Sequence, residues 1–351
     1  MRKFIALCTL ATAALSVHTL TTSVTPQATD GQHDFDFEVG HWHIHLKRRL
    51  HPLTGSNQWV EFDGTSVTRF LWHGAAQIEQ FETDGAGGHI EGLTLRTYNP
   101  EAHQWRLYWA NSKNGIVVVP QIGEFKDGQG EFYAQDTLNG KSIFIRFIWS
   151  KTNTDTPHFE QAFSDDGGKT WEVNWITDQT RVPDGTDVTP VVATADQSHD
   201  FDFLFGTRRY HLKRLQHPLS GSSTWTEASG TSTGLKIWGG RADLTETQAD
   251  GAGGQLMGLT LRTYNPETHQ WYLYWANSRD GVVSTPQVGQ FKDGVGEFYA
   301  TDTFNDRVIL VRYVWTGVTS QSPKFEQAYS EDGGKTWEVN WISSIDLTGA
   351  R

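Results

Sequence analysis

The chain has 351 residues, enough for two ordinary domains, and its 37% hydrophobic and 20% charged content is that of a globular protein. Its 41 acidic against 29 basic residues give a net charge of −12, which repels nucleic acid and anionic membrane and disfavours polyanionic partners. The single cysteine, Cys8, falls in the N-terminal segment, which excludes disulfides and cysteine-ligated metals elsewhere.

Met1-Arg2-Lys3, an apolar run from Phe4 to Val17 and a Thr/Ser-rich stretch to Ala28 have the layout of a secretory signal. Residues 1–28 are therefore expected to be cleaved, leaving a secreted or periplasmic protein with no stable membrane insertion. The apolar run is too short to span a bilayer comfortably.

From His33 onward the sequence repeats. His33-Asp34-Phe35-Asp36-Phe37 returns as His199-Asp200-Phe201-Asp202-Phe203, and a constant offset of 166 carries the match to Trp175-Ile176 and Trp341-Ile342. An offset that never slips means shared strand and loop lengths, hence one duplicated backbone. Residues 29–177 form repeat 1 and 199–346 repeat 2. The stretch 178–198 between them, with Pro183 and Pro190, reads as a linker.

Within each repeat, short alternating segments are separated by turn residues about every ten positions: Asp84-Gly85, Asn99-Pro100, Asn114-Gly115, Asp127-Gly128, Asn139-Gly140 and Asp166-Gly167 in the first. No stretch holds a helical apolar period. The expected fold is all-β. A sheet of eight to ten up-and-down strands leaves two exposed edges unless it closes, so one antiparallel barrel per repeat is predicted. No period shorter than 166 supports a bladed propeller.

Phe37-Glu38-Val39-Gly40-His41-Trp42 resembles the opening of calycin and lipocalin barrels, in which a short turn feeds a first strand marked by Gly-x-Trp. The chain also resembles small lipocalin-like bacterial proteins that begin His-Asp-Phe-Asp-Phe and end in a segment like Glu160 to Glu172, echoed here by Glu326 to Glu338. The resemblance implies calycin-like barrels with a cup for small, largely apolar ligands, and some such barrels are isomerases, hydratases or decarboxylases. Repeat 2 departs from the pattern, with Arg208 in place of the tryptophan. Ser164 to Trp171 and Ser330 to Trp337 resemble the Asp-box hairpin of sialidases and other carbohydrate-active proteins. The motif's physics is that of a tight turn satisfied by Asp and hydroxyl groups over a packed Trp.

Alternation places Trp105, Leu107, Trp109 and Asn111 on one strand face, with a wetter face opposite, and puts Asn111 and Asn277 at the rim of an aromatic interior. A turn-capping role for these amides is the alternative. Leu93 to Tyr98 recurs unchanged at Leu259 to Tyr264, with Leu93, Leu95 and Thr97 facing away from Thr94, Arg96 and Tyr98. Arg146 and Arg312 interrupt strands that are apolar on both faces, so each needs a carbonyl or carboxylate partner, for which Asp136/Asp302 and Glu160/Glu326 are available. Such a cluster is either a salt bridge within the barrel or an acid–base site built on Asp136, Glu160 and Arg146.

His41, His43 and His45 share a strand face opposite Ile44 and Leu46, a spacing from which imidazoles can bind Zn²⁺; a solvated histidine face is the alternative. Repeat 2 retains only His211 and His217 of the histidines around this strand. His33 and His199 precede acids expected to cap a turn and phenylalanines expected to plug a barrel end. No nucleotide-binding or serine-hydrolase motif stands in a suitable context, and no cofactor is expected.

The leading expectation is a small, partly apolar ligand inside one or both barrels. Its contacts in repeat 1 would be Trp59, Arg96, Trp105, Trp109, Asn111, Arg146, Trp149 and Trp175. In repeat 2 they would be Trp225, Arg262, Trp271, Trp275, Asn277, Asp302, Arg312, Glu326 and Trp341. The alternatives are a cofactor-free lyase, isomerase or hydrolase, and a carbohydrate-binding module with exposed indoles.

Overall fold

A computed structural model describes residues 30–183 and 199–347. The signal-like segment, Cys8 and most of the expected linker lie outside the described residues. Among the described residues twenty strands form two closed antiparallel barrels of ten strands each. The first contains β1 (Gly40–Arg49), β2 (Trp59–Leu71), β3 (Ala76–Gly85), β4 (Gly88–Asn99), β5 (Gln104–Asn111), β6 (Gln121–Lys126), β7 (Gln129–Leu138), β8 (Lys141–Ser150), β9 (His158–Ser164) and β10 (Glu172–Arg181). The second contains β11 (Gly206–Leu215), β12 (Trp225–Ile237), β13 (Ala242–Gly251), β14 (Gly254–Asn265), β15 (Gln270–Asn277), β16 (Gln287–Lys292), β17 (Val295–Phe304), β18 (Arg307–Thr316), β19 (Lys324–Ser330) and β20 (Glu338–Asp346). Neighbours in sequence pair in space, and β1 with β10 and β11 with β20 close the cylinders. Closure leaves no sheet edge. β10 continues through Arg181, which pairs with Trp42, so the first barrel takes in residues 178–181 of the segment read as linker.

The tight turns form where the sequence supplies residues tolerant of positive φ, as at Asn139 and Gly140 (φ 50° and 78°) and at Asn305 and Asp306 (50° and 61°). Phe35 and Phe201 close one end of each barrel. Phe35 packs edge-on against Trp105 (5.2 Å) and Phe125 (4.8 Å), and Phe201 against Trp271 (5.0 Å) and Phe291 (5.1 Å). Barrel 2 has this floor although it lacks the Gly-x-Trp indole. In barrel 1 that indole is fully buried, donates to Glu38 O at 2.7 Å and lies beneath the Arg181 guanidinium.

The face opposite Trp105, Leu107 and Trp109, expected to be wetter, packs against the other barrel. Tyr108 and Ala110 join Leu93, Leu95, Ile78 and Trp72 in one apolar cluster with the corresponding side chains of barrel 2. The contact is reciprocal: Val283 N donates to Tyr108 Oη and Val117 N to Tyr274 Oη, both at 3.1 Å. Thr97 donates to Gly281 O and Thr263 to Gly115 O. Each pair maps onto its mate by the sequence repeat, which is the pattern of an isologous two-fold interface within one chain. Two flanking contacts break the symmetry: the ion pair of Arg241 with Glu91, and a hydrogen bond from the Trp72 amide to Glu246.

Candidate functional site

Each barrel encloses a cavity. That of barrel 1 is about 290 Å³ and that of barrel 2 about 890 Å³. The difference follows from side chains at matching positions. In barrel 1, Phe81, Trp109 and Trp175 crowd one another with centroids 5.8–6.3 Å apart and join Phe62 in one buried cluster. In barrel 2 the two phenylalanine positions are Thr247 and Ala228, and only Trp275 and Trp341 remain in contact, at 5.9 Å. A β-carbon at Gly92 or Gly258 would collide with the Trp109 or Trp275 ring, so glycine there lets the indole lie against the wall. The larger cavity reaches the loop residues Gln216, His217, Arg279 and Asn305, at the end away from the phenylalanine floor.

Near the floor of barrel 1, Arg96 is 1% exposed. Its Nη2 donates to Glu79 Oε2 at 2.6 Å and lies 3.6 Å from Glu38 Oε2; Ser66 Oγ donates to the other Glu79 oxygen at 2.8 Å. Two carboxylates and one guanidinium would leave an excess buried negative charge. Burial, opposed by Arg96 and reinforced by Glu79, pushes the Glu38 carboxyl up to about 8, so it holds its proton at neutral pH. In barrel 2 the positions of Glu38 and Glu79 are Leu204 and Thr245, and the acid stands at Asp243, where barrel 1 has Gln77. Arg262 Nη1 donates to Asp243 Oδ1 at 2.5 Å and lies 2.9 Å from Thr245 Oγ1. Burial, opposed by Arg262, raises Asp243 to about 6.

Several expected site residues do line the cavities: Arg96, Trp109, Asp136, Trp149 and Trp175 in barrel 1, and Arg262, Trp275, Asp302 and Trp341 in barrel 2. Others do not. Trp105 and Trp271 sit in the floor, donating to Gly31 O and Asp200 Oδ2. Trp59 lies under Arg49 and neither it nor Trp225 reaches a cavity. Asn111 and Asn277 accept from the amides of Lys113 and Arg279, the turn-capping role, because each ends its strand at a tight loop.

The acid–base cluster does not assemble. Phe132, Ala134 and Asp136 share the inner face of β7, whereas Arg146 alternates with lumenal Ile145 and Phe147 and points outward. Its guanidinium covers the Trp171 indole at 4.6 Å, as Arg312 covers Trp337 at 4.7 Å. The outer face of the strand is covered in part by the Asp-box tryptophan, with Phe144 left 40% exposed. Glu160 also faces outward, 3.2 Å from His158, and Glu326 lies outside the cavity. Asp136, Arg146 and Glu160 therefore share no common point.

Trp42, Ile44 and Leu46 are buried, and His41, His43 and His45 occupy the outer face as the alternation predicts. His45 Nδ1 pairs with Asp63 at 2.8 Å. Among the described residues no group of three or more His, Cys, Asp or Glu is placed to hold a metal ion. The 15 tryptophans, all among the described residues, are buried or half-buried.

Sequence reasoning missed Glu38, Glu79, Trp315, Gln121, Gln287, Asn340, Arg214 and Arg279. Gln121 and Gln287 are buried, line the cavities and leave Oε1 without a partner; Asn340 leaves Nδ2 so. A buried amide in a polar lumen is a hydrogen-bonding point for an occupant or for water.

The BNR/Asp-box repeat family matches residues 162–173 and 328–339. In both segments the aspartate makes the turn: Asp166 Oδ1 accepts from Ser164 Oγ and from the amides of Lys169 and Thr170, and Asp332 repeats the set. No curated protein matches the chain. Among solved structures, the chain is similar to a protein of unknown function from the DUF3598 family of Nostoc punctiforme, at 11% identity over 90% of this chain and 98% of that one, with a TM-score of 0.23. It is also similar to transferrin-binding protein B of Haemophilus parasuis, at 7% identity over 87% of this chain and 75% of that one, with a TM-score of 0.20. Likenesses this weak add nothing to the fold, which rests on the strand pairing above. Among the described residues no helix is long and apolar enough to cross a membrane.

Proposed function

We propose that the protein binds a small molecule inside its barrels, with the lumen of barrel 2 as the principal site. The observation that supports this reading is the 890 Å³ cavity, within the range of ligand pockets, lined by Thr247 where barrel 1 carries Phe81, with Ala228 standing in place of the buried Phe62. Its wall combines ring surfaces from Trp275, Trp315, Trp341, Tyr313 and Tyr329 with hydroxyl and amide groups from Ser232, Thr245, Thr260, Gln287 and Gln327. Such a wall suits a molecule with a flat apolar body and several hydrogen-bonding groups. The signal-like N-terminus supports export, and the exported protein should begin near residue 29.

Titration with the neutral fluorophore phenylnaphthylamine tests the lumen reading. The wild type is expected to bind it with enhanced emission and quenched tryptophan fluorescence. Ala228→Phe with Thr247→Phe, which restores the bulk found in barrel 1, is expected to remove most of that signal while the fold is retained. Equal binding by wild type and a folded double variant overturns the assignment to barrel 2.

A further inference from the structure

The two cavities also differ in charge. Barrel 1 presents Glu79 and Asp136 against Arg96 alone, whereas the cavity of barrel 2 is lined by Arg214, Arg262 and Arg279 against Asp302 alone. Asp243 neutralises Arg262 at the floor. Arg214 and Arg279 have no ion pair among the described residues, and they stand in a chain whose net charge is −12.

Arg214 is the penultimate residue of β11, with its guanidinium 5.6 Å from the Trp341 ring, and Arg279 lies in the loop after β15, so both belong to the mouth. Barrel 1 has Arg48 and Lys113 at the matching positions, but neither lines its cavity; Arg48 instead lies over Phe62, 5.8 Å from the ring. Barrel 2 has Ala228 in place of that phenylalanine, and there Arg214 and Arg279 are part of the cavity wall.

We infer that barrel 2 takes an amphipathic organic anion, with its ring system between Trp275, Trp341 and Tyr313 and its carboxylate or sulfonate at Arg214 and Arg279. Arginine suits this role because its planar fork pairs with both oxygens of such a group. Barrel 1, smaller and of opposite sign, does not admit the same ligand. The inference rests on the lumen reading above and adds the charge of the ligand to it.

The test compares the anion anilinonaphthalene sulfonate with neutral phenylnaphthylamine on the full mature chain. Replacing both arginines (Arg214→Ala with Arg279→Ala) should weaken the sulfonate about tenfold or more, since two charge-assisted contacts are lost. Binding of the neutral probe should stay unchanged. Asp302→Asn should tighten the sulfonate, and added salt should weaken it alone. A sulfonate affinity insensitive to both arginines and to salt, in a protein whose neutral-probe binding still falls with Thr247→Phe, overturns the anion assignment and leaves the lumen reading standing. Neutral-probe binding unaffected by filling the lumen overturns the lumen reading instead, and the anion assignment with it.

Discussion

The guanidinium of Arg181 lies 4.0 Å above the Trp42 ring, joining the last strand of barrel 1 to its first, and donates to Val39 O and Phe37 O. Barrel 2 has no such pair: Arg208 and Leu347 occupy these positions. Trp42→Ala is therefore expected to destabilise barrel 1 by about 3–5 kcal/mol, the usual cost of emptying a buried indole site. Arg208→Ala should cost much less. Urea unfolding of the two variants, followed by circular dichroism, checks the difference.

Glu38 gives stability a pH dependence of known sign. Its folded value of about 8 lies above the ordinary 4.5, so the folded state keeps a proton that the unfolded chain releases. The contribution is fully present below about pH 4.5 and is lost as pH rises through about 8, with a slope of at most about 1.4 kcal/mol per pH unit. Glu38→Gln, which cannot ionise, should flatten the stability profile between pH 6 and 8. Denaturation midpoints across that range provide the measurement, and an unchanged slope would contradict the assignment. Asp243, raised to about 6, adds a similar decline at lower pH in barrel 2.

At the contact between barrels, Tyr274→Phe removes the acceptor for Val117 N and leaves that amide unsatisfied. A loss of about 1–3 kcal/mol is expected, with faster hydrogen exchange at Val117. Tyr108→Phe should do the same at Val283. Exchange rates at both amides that match the wild type would show that these phenols do not hold the interface.

Asp332→Asn probes the second Asp-box turn. Hydrogen bonds from the Thr336 amide and hydroxyl, and from Ser330, hold this carboxyl below the usual carboxylate range. Its contribution is present above the ordinary value of 3.8 and fades as pH falls through the depressed one. The variant should accelerate amide exchange at Lys335 and Thr336 while leaving Lys169 and Thr170 in the first turn unchanged.

The barrels and most of their lumenal tryptophans were legible because a sheet's period of two and its turn residues are local signals, and the unbroken offset of 166 doubled each of them. The outward Arg146 was not legible. Its outer neighbours Phe144 and Ile148 read as core, whereas their face is covered only in part, by a tryptophan from a distant hairpin. Leu93 and Leu95 recur unchanged because they pack against the other barrel, and nothing in one copy says that its partner is the second. Glu38 and Glu79 are not legible in the repeat because barrel 2 has Leu204 and Thr245 at their positions, so the internal match does not mark them.

Two separate identical subunits meeting across a two-fold axis cannot alter one cup without altering the other, since a single gene writes both. Covalent linkage of the halves removes that tie. The reciprocal threonine and tyrosine bonds keep the old symmetry at the seam, while Ala228, Thr247 and Asp243 on one side and Phe62, Phe81 and Glu79 on the other record two hollows free to specialise separately.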